Sequence, residues 1–138
     1  MHPGQQKSTP NDVVNQFFDA FSLATAEDYL LSSFKAAEST SVWKKSAPYD
    51  LIYFFEQLSK LIHAFSKKVI RKIDENRFAK CRKIINKYSI RNWDEYLHYI
   101  LRFALSNTSL TEVGVQLELI HLFDYLKQLL KTAYLLNV

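Results

Sequence analysis

The chain has 138 residues, of which 48% are apolar and 14% aromatic, with a formal charge of +4. That length suits one domain with a sizeable core, and the single cysteine, Cys81, excludes an intrachain disulfide and a cysteine-based zinc site. Glycine and proline are absent from Tyr49 to Glu112, so the turn residues that an all-β fold needs every ten or so positions are missing.

Residues 1–9, rich in polar side chains, are expected to be a disordered leader, and residues 10–138 a single helical-bundle domain. The opening MHPGQQKSTP lacks the apolar core of a secretory signal. Thr9-Pro10-Asn11-Asp12 reads as a helix start, with Thr as cap, Pro at the first helical position and Asp in the first turn. Val13, Val14, Phe17, Phe18 and Phe21 follow at helical spacing. Thr25-Ala26-Glu27-Asp28 reads as the cap of a second helix carrying Tyr29, Leu30, Leu31 and Phe34; one kinked helix is the alternative.

Ser39 to Ser46 is the clearest loop. A third helix is expected from Ala47-Pro48, with Asp50 at its positive end. Its apolar row is Leu51, Phe54, Phe55, Leu58, Leu61, Ile62, Phe65, Val69, Ile70 and Ile73. Asp74-Glu75-Asn76 reads as a break, because the next stripe (Phe78, Cys81, Ile84, Ile85, Tyr88) is out of phase; a single bent helix is the alternative. Asn92-Trp93-Asp94-Glu95 reads as a capping box opening a helix with Trp93, Tyr96, Leu97, Ile100, Leu101 and Ala104 inward. Ser109-Leu110-Thr111-Glu112 is a fuller box, expected to open a long last helix. The fold class is therefore all-α, a compact bundle of five or six helices.

Charge is segregated along the chain. Eleven of the eighteen Lys and Arg lie from Lys60 to Arg91, where Asp74 and Glu75 are the only acids, a net charge of +9. Lys67, Lys68, Arg71 and Lys72 fall on the polar side of the third helix, and Lys80, Lys83 and Lys87 share a face of the next. The two helices are expected to meet at a hairpin, which lets these charges merge into one basic edge able to neutralise phosphates. Lysine outnumbers arginine there, which favours sequence-independent attraction over shaped, bidentate recognition. Phe78 and Tyr88 lie in the apolar stripe and read as core rather than as platforms for bases.

Two Glu-x-x-His pairs, Glu95/His98 and Glu118/His121, have the spacing by which di-iron carboxylate bundles bind metal, with Glu56 and Asp19 as candidate further carboxylates. A hairpin of the last two helices about Asn107 would bring the pairs within a turn of each other. Both pairs, however, lie on the side away from the apolar rows, so they read as surface pairs, and neither a metal nor another cofactor is expected.

Arg91-Asn92 followed by His98 resembles the Arg-x4-6-His signature of the HEPN superfamily. The resemblance covers three residues. It implies an all-helical, dimeric, metal-independent ribonuclease with Arg91 and His98 at the cleavage site. Arg91 is expected to precede the helix that carries His98. Cys81 lies among Lys80, Arg82 and Lys83, cations that lower a thiol pKa, but its place on the apolar stripe reads as a buried structural thiol.

The last helix, with Val115, Leu117, Leu119, Ile120, Leu122, Phe123, Leu126, Leu129, Leu130 and Ala133, is apolar over more than half its circumference. It reads as a central helix, with a protein or homo-oligomer contact through residues 113–138 as the alternative. Glu118, His121, Asp124, Lys127, Gln128 and Lys131 interrupt it, so no membrane span is predicted. The expected compartment is cytoplasmic. The expected function is a non-enzymatic binding module whose basic edge contacts a polyanion, most plausibly nucleic acid. The alternatives are a protein-interaction adaptor and a HEPN-like ribonuclease.

Overall fold

The first helix begins with two reciprocal hydrogen bonds. The Thr9 hydroxyl accepts from the Asp12 amide at 3.2 Å, and the Asp12 carboxylate accepts from the Thr9 amide at 3.1 Å. In the computed structural model, which describes residues 9–66, 72–114 and 118–137 apart from the side chains of 72–75, this cap opens α1 (Pro10–Ala20). Residues 1–8 of the expected leader lie outside the described residues, and Thr9, its last residue, is the cap itself.

Two helices, not one kinked helix, follow from that start. Phe21 and Ser22 are both extended, with φ/ψ of −134°/132° and −67°/158°, which interrupts the backbone ladder. The Ser22 hydroxyl then accepts from the Thr25 amide at 3.1 Å and opens α2 (Leu23–Glu38), three residues before the cap expected at Thr25. The third helix, α3 (Pro48–Ser66), starts where Pro48 predicts. Its row from Leu51 to Phe65 is buried as expected, whereas Val69, Ile70 and the Ile73 side chain lie outside the described residues.

The expected break at Asp74-Glu75-Asn76 is not one. These residues lie within the first turns of α4 (Lys72–Ile85), where the positive end of the helix favours carboxylates. The helix folds back along α3, because the Arg82 Nε–H donates to the Phe65 carbonyl at 3.2 Å. In one straight helix those residues would be about 25 Å apart. The Phe65 and Phe78 rings meet at 5.6 Å in the same contact.

Ser89, rather than Asn92, caps α5 (Ile90–Ala104), accepting from the Asn92 amide at 3.1 Å. The Ser109–Glu112 box forms, with bonds of 2.8 and 3.2 Å, but closes only a turn. Gly114, at φ +75°, ends that turn in the left-handed region that favours glycine. The last helix, α6, therefore spans Leu119–Tyr134, and Val115 and Leu117 lie outside the described residues.

Among the described residues there are six helices and no strand. Helix α2 packs on both α5 and α6, α1 and α5 pack on α3, and α4 packs on α6. The expected α5–α6 hairpin is replaced by this arrangement, in which each of the two helices packs on α2. One core runs through all six helices, with Phe17, Phe54, Phe65 and Trp93 fully buried. Two backbone bonds tie loops to it: the Trp43 amide to the Ala104 carbonyl at 2.8 Å, and the Leu110 amide to the Ala37 carbonyl at 3.0 Å. Among the described residues, no helix is long and apolar enough to cross a membrane.

Candidate functional site

The amphipathic division of α4 determines which of its cations face outward. Phe78, Cys81, Ile84 and Ile85 are buried against the core, so Lys80 and Lys83 project from the opposite face and are exposed, as is Lys87 in the turn that follows the helix. Lys80 and Lys83 stand about 4.5 Å apart along the helix axis. The two neighbouring arginines are engaged by backbone carbonyls. Arg77 donates to the Leu136 carbonyl at 3.4 Å, and Arg82 to the Phe65 carbonyl at 3.2 Å. Among the described residues no carboxylate pairs with Lys80, Lys83 or Lys87. Lys87 instead holds its Nζ 5.8 Å from the centre of the Tyr125 ring. Lys72 opens α4, but its side chain and the whole of Lys67, Lys68 and Arg71 lie outside the described residues.

Beyond the end of α4 lies a group of aromatic rings. Tyr88 meets Trp93 at 4.9 Å, Tyr96 at 5.1 Å and Tyr125 at 5.7 Å, each edge to face. Trp93 is fully buried, and its indole N–H donates to the Ile85 carbonyl at 2.7 Å, which locks the start of α5 to the end of α4. Phe78 is core, as its register predicts. Tyr88 is not. It is half-buried, as are Tyr96 and Tyr125, whose rings pack against Tyr88 on the side it does not share with Trp93's buried ring. Burial, then the nearby Tyr125, Tyr96 and Glu118, push the Tyr88 hydroxyl above its ordinary pKa. Spacing could not reveal this group, since its members come from a turn and two helices.

A groove of about 520 Å³ runs between α3 and α5, with Phe55 and Leu97 at its floor and Glu56, Lys60 and His98 on its rim. His63 and Asp94 bridge it, with His63 Nε2 2.8 Å from a carboxylate oxygen of Asp94. Both side chains are more than 40% exposed, so the bridge contributes about 0–1 kcal/mol.

Arg91 and His98 stand differently from expectation. The Ser89 cap places Arg91 in the first turn of α5, so both residues lie on one helix. They are exposed and two turns apart on the same face. The Glu118–His121 pair closes on itself, His121 Nδ1 lying 3.0 Å from the carboxylate. Glu95 and His98 are likewise exposed. Among the described residues no three His, Cys, Asp or Glu side chains gather as a metal site. Cys81 is fully buried, and burial pushes its thiol up to about 12, overriding the neighbouring cations.

The apolar face of α6 is turned into the fold, with Leu122, Leu126, Leu129, Leu130 and Ala133 buried. Its most exposed apolar side chains, Ile120 at 83% and Leu135 at 81%, sit at opposite ends and form no common patch. No family model, no curated protein and no solved structure matches the chain.

Proposed function

We propose that this protein is a non-enzymatic binding module that holds a polyanion, nucleic acid by preference, on the outer edge of α4. The observation that carries the reading is the exposed row Lys80, Lys83 and Lys87, for which no carboxylate partner exists among the described residues. Three exposed ammonium groups close in sequence repel one another, and a row of phosphates relieves that repulsion while releasing counterions. In sequence, Lys67, Lys68, Arg71 and Lys72 extend the same run of charge. Lysine heads are point charges on flexible stems, so the expected recognition is of backbone rather than of sequence.

Fluorescence anisotropy of labelled RNA and DNA at several salt concentrations tests this. Affinity should fall linearly on a log–log plot against salt. In the triple variant Lys80→Glu, Lys83→Glu, Lys87→Glu the slope should shrink by about 2 for single strands and about 3 for duplex, with loss of most binding. A triple variant that binds as tightly as the parent removes the site from this edge.

A second reading, a HEPN-like ribonuclease, is favoured by one observation, the common exposed face of Arg91 and His98 on α5. A histidine two turns from an arginine can serve as general acid or base while the guanidinium stabilises phosphate charge. It predicts RNA cleavage in the presence of a chelator that is lost in His98→Ala. Cleavage unchanged in that variant belongs to a contaminant.

A further inference from the structure

We infer that the ligand of the basic edge is single-stranded nucleic acid, and that Tyr88, Tyr96 and Tyr125 form the surface on which its unpaired bases stack. This rests on the lysine-edge reading above and adds the class of polyanion to it.

Three observations point the same way. First, the tyrosine group is contiguous with the lysines. Tyr88 follows Lys87 directly, and the Lys87 ammonium lies 5.8 Å from the Tyr125 ring centre. A phosphate held by Lys87 therefore has its base within reach of these rings. Second, the rings stay at the surface although a closed core lies directly beneath them. All three are half-buried. Their hydroxyls have no hydrogen-bond partner among the described residues, and none of the three is sealed away from water. Third, the group is braced. Tyr88 leans edge-on against Trp93, which is held by its 2.7 Å bond to the Ile85 carbonyl. Rings immobilised before binding lose little entropy when a base settles on them.

Alternating cationic and aromatic side chains are what a single strand requires, since its charge and its π-faces are exposed together. A duplex offers the charge but keeps its bases stacked inside. Glu118, an acid close enough to act on Tyr88, is engaged by His121 at 3.0 Å, and Asp124 by the Gln128 amide at 2.8 Å. His121 brings a fourth ring to 6.4 Å from Tyr125, tilted by 30°.

The test compares three labelled probes by anisotropy on the full chain: oligothymidylate of about 20 nucleotides, a strand of the same length with abasic sugars, and the matching duplex. Oligothymidylate should bind at least about tenfold more tightly than the abasic strand. The duplex should bind no more tightly than its charge accounts for through counterion release. In the double variant Tyr96→Leu, Tyr125→Leu, which leaves Tyr88 on Trp93, the affinity for oligothymidylate should drop most of the way towards that of the abasic strand, and by a larger factor than any change in the binding of the abasic strand itself. Equal affinity of the parent chain for oligothymidylate and the abasic strand overturns the stacking surface and leaves the lysine edge standing. Absence of binding to every probe at low salt overturns the lysine edge itself. The parent-chain comparison needs no variant, so a misfolded double variant does not rescue the idea.

Discussion

Trp93 carries more of the structure than any other single side chain near the candidate site. It is fully buried, its N–H is bonded to the Ile85 carbonyl, and its ring supports Tyr88. Trp93→Phe removes both the hydrogen bond and part of the ring volume, so the expected cost is about 1–3 kcal/mol, read from urea unfolding. The Tyr88 shelf should loosen with it. Cys81 gives a second expectation at this scale. A thiol pushed up to about 12 stays protonated at neutral and mildly alkaline pH, so Ellman's reagent should leave native protein unlabelled and react only on unfolding. The same shift has a pH consequence with a definite sign. The unfolded thiol ionises near the ordinary value of 9.0 and the folded one near 12. The stabilisation is therefore complete below pH 9 and is lost as pH rises from 9 towards 12. Unfolding curves at pH 8 and 10.5 should show a steeper loss in the parent chain than in Cys81→Ala.

At the scale of elements, cap chemistry located the starts of α1, α2, α3 and α5 to within a few residues without choosing among neighbouring candidates, and missed that of α6. Thr9 opens α1 where the sequence predicts, because Pro10 leaves only one position open. Near α5 both Ser89 and Asn92 are cap-forming residues, and Ser89 takes the role. The choice follows from packing: only that start brings Trp93 under Ile85 and Tyr88. Ser89→Ala should therefore cost about 1 kcal/mol in urea unfolding. Asn92→Ala, at an exposed helix-interior position, should stay within about 0.5 kcal/mol. Were Asn92 the cap, these effects would be reversed. The Ser109–Glu112 box shows the other side of the rule. Its hydrogen bonds form, yet Gly114 at φ +75° ends the turn before a helix can propagate. Helix α4 illustrates a third case, since Asp74 and Glu75 look like a break in the apolar pattern but suit the first turn of a helix.

For the whole molecule, the separation of charge from core is the dominant feature. The lysines of α4 and of the turn after it are exposed, so reversing Lys80, Lys83 and Lys87 should change folding stability by about 1 kcal/mol or less while removing polyanion binding. Circular dichroism and urea unfolding of the triple variant, beside its anisotropy curve, separate the two effects. Folding also decides which residues near that edge are neighbours. The Tyr88 group comes from the turn after α4, from α5 and from α6, and the His63–Asp94 bridge joins residues 31 positions apart. The Glu95/His98 and Glu118/His121 pairs, which an α5–α6 hairpin would have opposed, instead belong to helices that both rest on α2.

The residues by themselves determined the all-α class, the buried rows of α3 and α4, the outward lysines and the inert cysteine. All of these follow from a helical period of 3.6 residues and the exclusion of apolar surface from water, which are local properties of the chain. Only the tertiary structure decided that α4 turns back along α3, that α5 and α6 both pack on α2, and that Tyr88 belongs to a surface group rather than the core. Those outcomes depend on how side chains distant in sequence interlock around Trp93 and Phe65. Close packing selects among arrangements that the periodic pattern leaves equal.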